Sequence, residues 1–514
     1  MKMIFNIMSD IFQLLLYIAT PYTFYLLINF FVLKDIAKGS DHSVHLGLIR
    51  RIKSNGNKYG TYLTSKNEKN LLYPQLYHLM LSYFDIEWLE KKYSNINILI
   101  HFLDYLCFNL FASYFFYMKL VPLEFFFWVN IIYITFPISY AVWNAKNGGL
   151  SARAFGLLLT NIYVYLIAIY IIEGEIELIL LMIPIATSVL FSSQMGWQFI
   201  LLGTPFLSLY YNDPILLIIP IACYILFFMI IPKKAKSFMC GQYYHKKNYA
   251  LFLSKIFILR YRNSVYLDFL SDFYKELKNN LVRGLYYIYT NPIVVAIYGV
   301  PYLWLVLLAY ALNANDFSES ILLGIIYTSL LLFILTSFKN TRFLGEPQRY
   351  LEFSIPIISV LLCFNYNFIA ILIISLMSSI FIILSNRIIS LHKGGSDISK
   401  DRIHIINELR QIAAEKLVVS NDNDLLKYMP ELKAECIRPD FTCNYKNKEE
   451  FYRFYYDYDV NKISISGVLE FIESYSPDFV VINKKIYSDC KIKWCLKNYC
   501  FNKTVGDFVI YNLR

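Results

Sequence analysis

Eleven apolar stretches, most of them near the roughly 20 residues a helix needs to cross a bilayer and the sixth and tenth shorter, run through the first 390 positions of this chain: roughly 11–33, 97–118, 121–141, 155–172, 176–193, 197–211, 214–232, 285–312, 319–338, 353–366 and 367–390. Inside lipid no water takes up backbone N–H and C=O groups, so such stretches fold as helices bonded within themselves. The expected fold is mainly α: a polytopic transmembrane helix bundle of about eleven spans over residues 1–395, with a soluble α/β domain over 396–514. The sixth stretch meets the seventh at Asn212-Asp213-Pro214, and those two read equally as one re-entrant feature. The first stretch, positions 11–33, exceeds the ~7–15 residues of a signal-peptide core and no small-residue cleavage site follows it, so it is expected to stay as an anchor.

Composition agrees. The chain is 57% hydrophobic and 17% charged, against about 25% charged in soluble proteins. Its net charge of +10 is not evenly spread. From Ser396 onward 18 Lys/Arg balance 18 Asp/Glu, which leaves 30 against 20 in the membrane portion. Loops facing anionic headgroups account for that excess without a nucleic-acid partner. Of nine cysteines, Cys107, Cys223 and Cys363 fall in apolar stretches, Cys240 in a basic loop, and five in the tail. With no CxxC spacing, zinc ligation is poorly supported.

Counting spans from an inner N-terminus places the regions 34–96, 143–154, 232–284 and 337–352 on one outer face, together with the tail. Region 233–284 resists this, because its 11 Lys/Arg against 3 Asp/Glu suit a cytoplasmic loop. In the tail, helical spacing over Asp401–Lys416 leads into Leu417-Val418-Val419. A second helix, Gly467–Tyr475, precedes the β-branched run Asp478–Ile482, and Phe508–Tyr511 reads as a last strand. Alternation of this kind predicts a layered, Rossmann-like domain, although no GxGxxG loop is present.

The first outer loop is richest in chemistry. Ser40 suits the cap of a helix from Asp41 to about Lys53, stopped by Asn55-Gly56. Asp41 and His45 then share a face, with His42 beside them: a carboxylate able to take a proton from a hydroxyl, or simply a favourable first-turn acid among packing histidines. Tyr77 and His78, after Tyr73-Pro74, fall in an amphipathic run that reads as an interfacial helix, where they either contact a lipid phosphate or sugar or serve as an anchor. Arg153, at the start of the fourth stretch, either snorkels or binds phosphate. Later, Arg342 precedes Glu346, Arg349 and Glu352, spaced by three residues around Pro347, a grouping suited to holding a lipid-borne phosphate. No Walker, HExxH or GxSxG motif is present. The main acids within the stretches, Asp104 and Glu124, fall near span edges or interfaces in this reading.

Together, the anchor with its large first loop and Asp41-x-x-x-His45, the Tyr-Pro-Gln-Leu-Tyr-His stretch, the Glu-Pro-Gln-Arg-Tyr-Leu-Glu loop and the α/β tail resemble the GT-C superfamily of membrane glycosyltransferases. That resemblance implies a donor sugar carried on polyprenyl phosphate, a glycan, lipid or protein acceptor, and a multi-pass cell-membrane protein with an extracytoplasmic tail, in cell-envelope polysaccharide biosynthesis. It implies Asp41 as base or metal ligand and Arg349 as the donor-phosphate contact; beside it, the helix spacing itself offers His45 as a catalytic partner that orients Asp41 or joins a metal, with His42 in support. The loop after the third stretch lacks the second acid of oligosaccharyltransferase-type members, which leans toward the metal-independent style of protein O-mannosyltransferases, while a divalent metal stays open. A polysaccharide polymerase or ligase, or a lipid-linked glycan flippase, are the competing readings.

Overall fold

The computed structural model describes residues 2–33, 40–60, 72, 74–117, 122–140, 149–150, 152–252, 269–312, 321–365, 368–393, 400–437, 449–450, 462–486 and 500–513. Its helices are α1 (Lys2–Leu33), α2 (Ser40–Ser54), α3 (Leu76–Ser82), α4 (Ile86–Tyr117), α5 (Phe125–Ile134), α6 (Ala152–Glu173), α7 (Glu177–Ser192), α8 (Gln194–Tyr211), α9 (Ile218–Ile230) and α10 (Pro232–Leu251). There follow α11 (Phe269–Asn279), α12 (Leu281–Thr290), α13 (Pro292–Tyr298), α14 (Pro301–Leu312), α15 (Leu323–Thr336), α16 (Ile355–Asn365), α17 (Phe368–Lys393), α18 (Lys400–Ile412), α19 (Asn423–Leu426) and α20 (Ile465–Tyr475).

The fold is mainly helical. Among the described residues, three helices are long and apolar enough to cross a membrane: Ile86–Phe115, Ala152–Glu173 and Phe368–Ile388. A fourth crossing is supplied by Pro292–Tyr298 with Pro301–Ala311 if that pair, bent by 67°, is one span. Apolar helices over Phe12–Ile28, Phe125–Ile134, Glu177–Ser192, Pro214–Ile230 and Leu323–Thr336 are shorter. The single stretch expected over 285–312 is broken because the Asn291 side chain caps a new helix, accepting from the Ile293 N–H (3.0 Å) with Pro292 at its first position.

Local chemistry also decides the 211–214 junction. Asn212 ends α8 in the left-handed conformation (φ 52°), and Asp213 restarts the chain by accepting from the Ile215 N–H at 3.0 Å. The sixth and seventh stretches are thus separate helices. This turn lies at one end of the bundle with the end of α6, where Tyr170 donates to Asp213 (2.6 Å), and the start of α15, where Tyr211 donates to the Ile321 carbonyl. At the opposite end, Lys234 of α10 donates to the carbonyls of Tyr59 (3.1 Å) and Gly60 (3.0 Å), and α10 packs on the 3-10 turn Lys339–Leu344. Segment 232–251 therefore shares an end with the first loop and the late loop, despite its lysines.

Aromatic and branched residues fill the bundle core, and some polar groups within it pair with one another, as Asn130 with Asn109 (2.8 Å) and Tyr163 with Thr204 (2.7 Å). Asp104 is one correction to the sequence reading: α4 starts at Ile86, well before the apolar stretch, so Asp104 falls mid-helix rather than near an edge. It is buried, and accepts from Tyr133 (2.7 Å) and Asn161 (2.9 Å). With both oxygens bonded, it pins α4 to α5 and α6.

The tail forms a five-stranded sheet in the order β2-β1-β3-β5-β4, from β1 (Leu417–Ser420), β2 (Glu435–Cys436), β3 (Phe479–Asn483), β4 (Cys500–Val505) and β5 (Phe508–Asn512). Strands β2, β1 and β3 are parallel; β5 and β4 are antiparallel. The carboxyl ends of β1 and β3, where open α/β sheets usually take ligands, are closed by the protein's own groups. Fully buried Asp422 accepts from Arg402 (3.1 Å) and Asn483 (2.9 Å), and Asn421 exchanges two bonds with the Asn483 backbone (2.7 and 3.0 Å). Cys443, Cys490 and Cys495 lie outside the described residues.

The tail rests on the first loop. Its 3-10 turn Met429–Leu432 packs on α2, whose Leu48 and Ile52, one turn apart, are fully buried. Truncating such a side chain costs roughly 2–5 kcal/mol. Ile52→Ala should therefore speed amide exchange in Met429–Leu432 while strands β3 and β5 stay protected; unchanged exchange in that turn would show that it does not depend on α2.

Candidate active site

Helix α2 is held from several directions. Leu46 and Ile49 face Tyr77, Leu81, Leu89, Ile96 and Ile100 in one apolar cluster, Arg50 pairs with Glu90 of α4 (3.2 Å), and Lys53 donates to the Phe84 carbonyl (2.7 Å). Its stop matches the expected one, Gly56 taking φ +72°. Asp41 sits in the first turn, one turn before His45, and its side chain lies outside the described residues.

His42 has a structural task. Its Nδ1 accepts the Leu150 N–H (2.9 Å), its ring lies 4.6 Å from that of Tyr93, and Asn97 donates to the Gly149 carbonyl (3.0 Å). Gly149 takes φ +115°, and a Cβ there would come 2.7 Å from the Cβ of His42. The second loop is thereby clamped onto the first.

His45 Nδ1 lies 2.7 Å from His78 Nε2. His78 is fully buried, and burial, then the neighbouring His45, holds its imidazole well below the usual 6.5. One nitrogen of the pair donates to the other. Two imidazoles ligating one ion at ~2.1 Å each would sit more than 3 Å apart, so the pair as placed does not fit half of a metal site. Among the described residues, no three His, Cys, Asp or Glu side chains gather as candidate ligands. The expected interfacial helix does form as α3, but its aromatic face turns inward: Tyr77 is buried with its ring stacked on Phe155 of α6 (5.7 Å). Its apolar side meets α2, α6 and α7, with Met80 left exposed. Arg153 is exposed at the start of α6.

The late loop is a second centre. Pro347 opens a 3-10 helix, Pro347–Ser354, preceded by Glu346. At three residues per turn, Glu346, Arg349 and Glu352 stack on one side. Arg349 Nε lies 2.6 Å from Glu346 Oε2 with both side chains largely buried, and Glu352 is half-buried. Sequence reading missed Lys246 and Gln198. The Gln198 amide, oriented to satisfy its neighbours, donates to the Leu344 carbonyl (2.8 Å) and accepts from Lys246 Nζ (3.1 Å). Tyr350 OH lies 3.3 Å from the same amide. Burial lowers the Lys246 ammonium from its ordinary value. The available signal was a glutamine at the second position of an otherwise apolar stretch.

Two close approaches join these centres. Gly156, beside Phe155, admits Ser193 where any larger residue would collide. Two residues on, Met195 reaches Gly345 of the late loop, whose φ is +104°. The structure thus brings Tyr77, His78, His45 and His42 together on α2 and α3, and Glu346, Arg349 and Lys246 at the late loop, with the starts of α6 and α8 between.

This arrangement has the fold of a solved membrane-protein structure. The crystal structure of ArnT from Cupriavidus metallidurans bound to undecaprenyl phosphate is similar to it, with a TM-score of 0.55 and 10% identity, covering 97% of this chain and 98% of that one. No family model matches the sequence, and no curated protein does.

The His45–His78 pair generates a pH prediction. A histidine held neutral by burial binds its proton less readily folded than unfolded, so its contribution to stability is complete above the unfolded value near 6.5 and is lost as pH falls below it. Corrected for the intrinsic, base-catalysed exchange rate, the protection of amides in Leu76–Ser82 should fall between pH 7.5 and about 5, and His78→Phe should flatten that response. Equal slopes in both proteins would assign the pH effect elsewhere.

Proposed function

We propose that this chain is a membrane glycosyltransferase that moves a sugar from a polyprenyl-phosphate-linked donor to a glycan, lipid or protein acceptor at the extracytoplasmic face, with about eleven spans. The observation that carries this reading is the gathering of the first loop, the segment 149–150, α10, the late loop and the tail at one end of a GT-C-like bundle. A lipid phosphate like that bound to the ArnT neighbour is the donor carrier in this reading.

In the proposed reaction, Asp41 takes the proton of the acceptor hydroxyl as its oxygen attacks the anomeric carbon. The bond from that carbon to the phosphate oxygen breaks, and polyprenyl phosphate leaves with the electron pair. Arg349 and Lys246 meet the charge that develops on the leaving oxygen, Lys246 more strongly for being desolvated. His45 and His78 position the turn bearing Asp41, while Tyr77 and Arg153 are proposed contacts of the donor or of its headgroup layer. Glu346 orients the Arg349 guanidinium through their ion pair, and Glu352 continues that side of the 3-10 helix.

Transfer from a polyprenyl-phosphate sugar, followed in nanodiscs, tests the assignment. Asp41→Asn should lower kcat by about 10²–10⁴, and Arg349→Ala and Lys246→Met each by about 10²–10³, with folding intact. Full turnover by Asp41→Asn removes the base assignment. If the three variants instead shorten a polymer product without slowing single-sugar transfer, the polymerase reading replaces this one.

A further inference from the structure

Helix α11 is built the wrong way round for a helix facing water. Leu270 (73% exposed) and Tyr274 (67%) stand out, Leu277 is partly exposed where it packs beside Gly284 of α12, and Leu281 at the start of α12 continues the row (63%). Asp272 (7%) and Glu276 (5%), one turn apart, are buried. At 3.6 residues per turn the three apolar residues of α11 fall in a stripe about 60° wide, and the two acids lie roughly 140° away. Exposed Lys275 and Lys278 occupy the side between them. The helix therefore has three sides, one against the protein, one apolar and one cationic. In water alone, leucines outward and carboxylates inward is the costly arrangement.

What covers the apolar side follows from its neighbours. Helices α11 and α12 pack on each other, and α12 packs on α17. The apolar span Phe368–Ile388 within α17 exposes Leu372, Ile373, Leu376, Ile380 and Ile383, the surface of a helix that meets lipid. The stripe on α11 is thus reached from a lipid-facing span through one intervening helix, at the end where α17 leads to the tail. Lysines beside an apolar stripe are the pattern of helices lying in a membrane interface, their stems along the acyl boundary and their ammonium groups at phosphates.

We propose that α11 lies in the plane of the membrane surface at the loop-bearing end of the bundle, with Leu270, Tyr274, Leu277 and Leu281 sunk into the acyl-chain boundary and Lys275 and Lys278 at the headgroups of that leaflet. It is an attachment to lipid independent of the transferred sugar. The segment after α10 is thereby tied to the bilayer while α10 itself is tied to the first loop.

The test uses the full chain in nanodiscs of phosphatidylcholine with a minority of phosphatidylglycerol. The photo-crosslinker p-benzoylphenylalanine is placed at position 274, or at 275, or, as a second stripe position, at 270. Positions 274 and 270 should each give about tenfold more lipid adduct than position 275, read by mass spectrometry of the peptide. Equal yields at 274 and 275, or adducts at 274 to a second copy of the chain or another protein, would overturn the proposal. Position 270 decides the matter if the 274 variant fails to fold.

Discussion

Helix α2 is wedged between α4 and the tail, and the loop-bearing end of the molecule is assembled around it. Leu46 and Ile49 are buried toward α3 and α4, while Leu48 and Ile52 are buried in a helix on which the tail turn Met429–Leu432 rests. A helix buried on two sides cannot shift toward one partner without opening the other. His42 then carries the second loop, and Lys53 the turn between α3 and α4. Asp41 occupies the first turn of this fixed helix, so whatever its side chain does is delivered from a rigid mount.

Much of this was legible in the sequence, for specific reasons. The runs Leu417-Val418-Val419 and Phe479–Ile482 are β-branched, bounded by helical spacing, and became β1 and β3, the buried centre of the tail sheet. Strand β2, at two residues, is too short to leave a pattern, and β4 (Cys500–Val505) mixes polar with apolar positions because it is an edge. Helix α3 was found but turned the wrong way, since an apolar stripe specifies burial and not the medium that buries it. Asp104 was misplaced because hydropathy locates the apolar part of a helix, and α4 begins eleven residues earlier than its apolar part does. The Arg349–Glu346 grouping was readable from spacing around a proline. Lys246 was not, because its partner Gln198 lies some fifty positions away on another helix.

Region 233–284 shows how a charge count can mislead about placement. Its lysines argued for the face opposite the first loop, yet Lys234 spends its ammonium on the Tyr59 and Gly60 carbonyls, and Lys246 spends its own on Gln198. Charges consumed by internal bonds say little about which leaflet a loop faces. The positive-inside tendency also weakens as a loop approaches about 60 residues. Hydrogen bonds between segments outweigh it here, because a lysine cannot reach two carbonyls across a bilayer.

The same desolvation gives the proposed chemistry its direction. A partly buried ammonium has lost part of its hydration, and the Gln198 carbonyl oxygen replaces only a fraction of it. An incoming phosphate would restore that loss, and its charge would be felt more strongly than at an open surface. Arg349 differs, since Glu346, 2.6 Å away, already balances its charge. In the proposed reading one cation is therefore undersolvated and waiting for charge, and the other is already balanced. That division suits a leaving group whose negative charge grows as its bond to the sugar lengthens, because the undersolvated cation gains most where the charge is greatest.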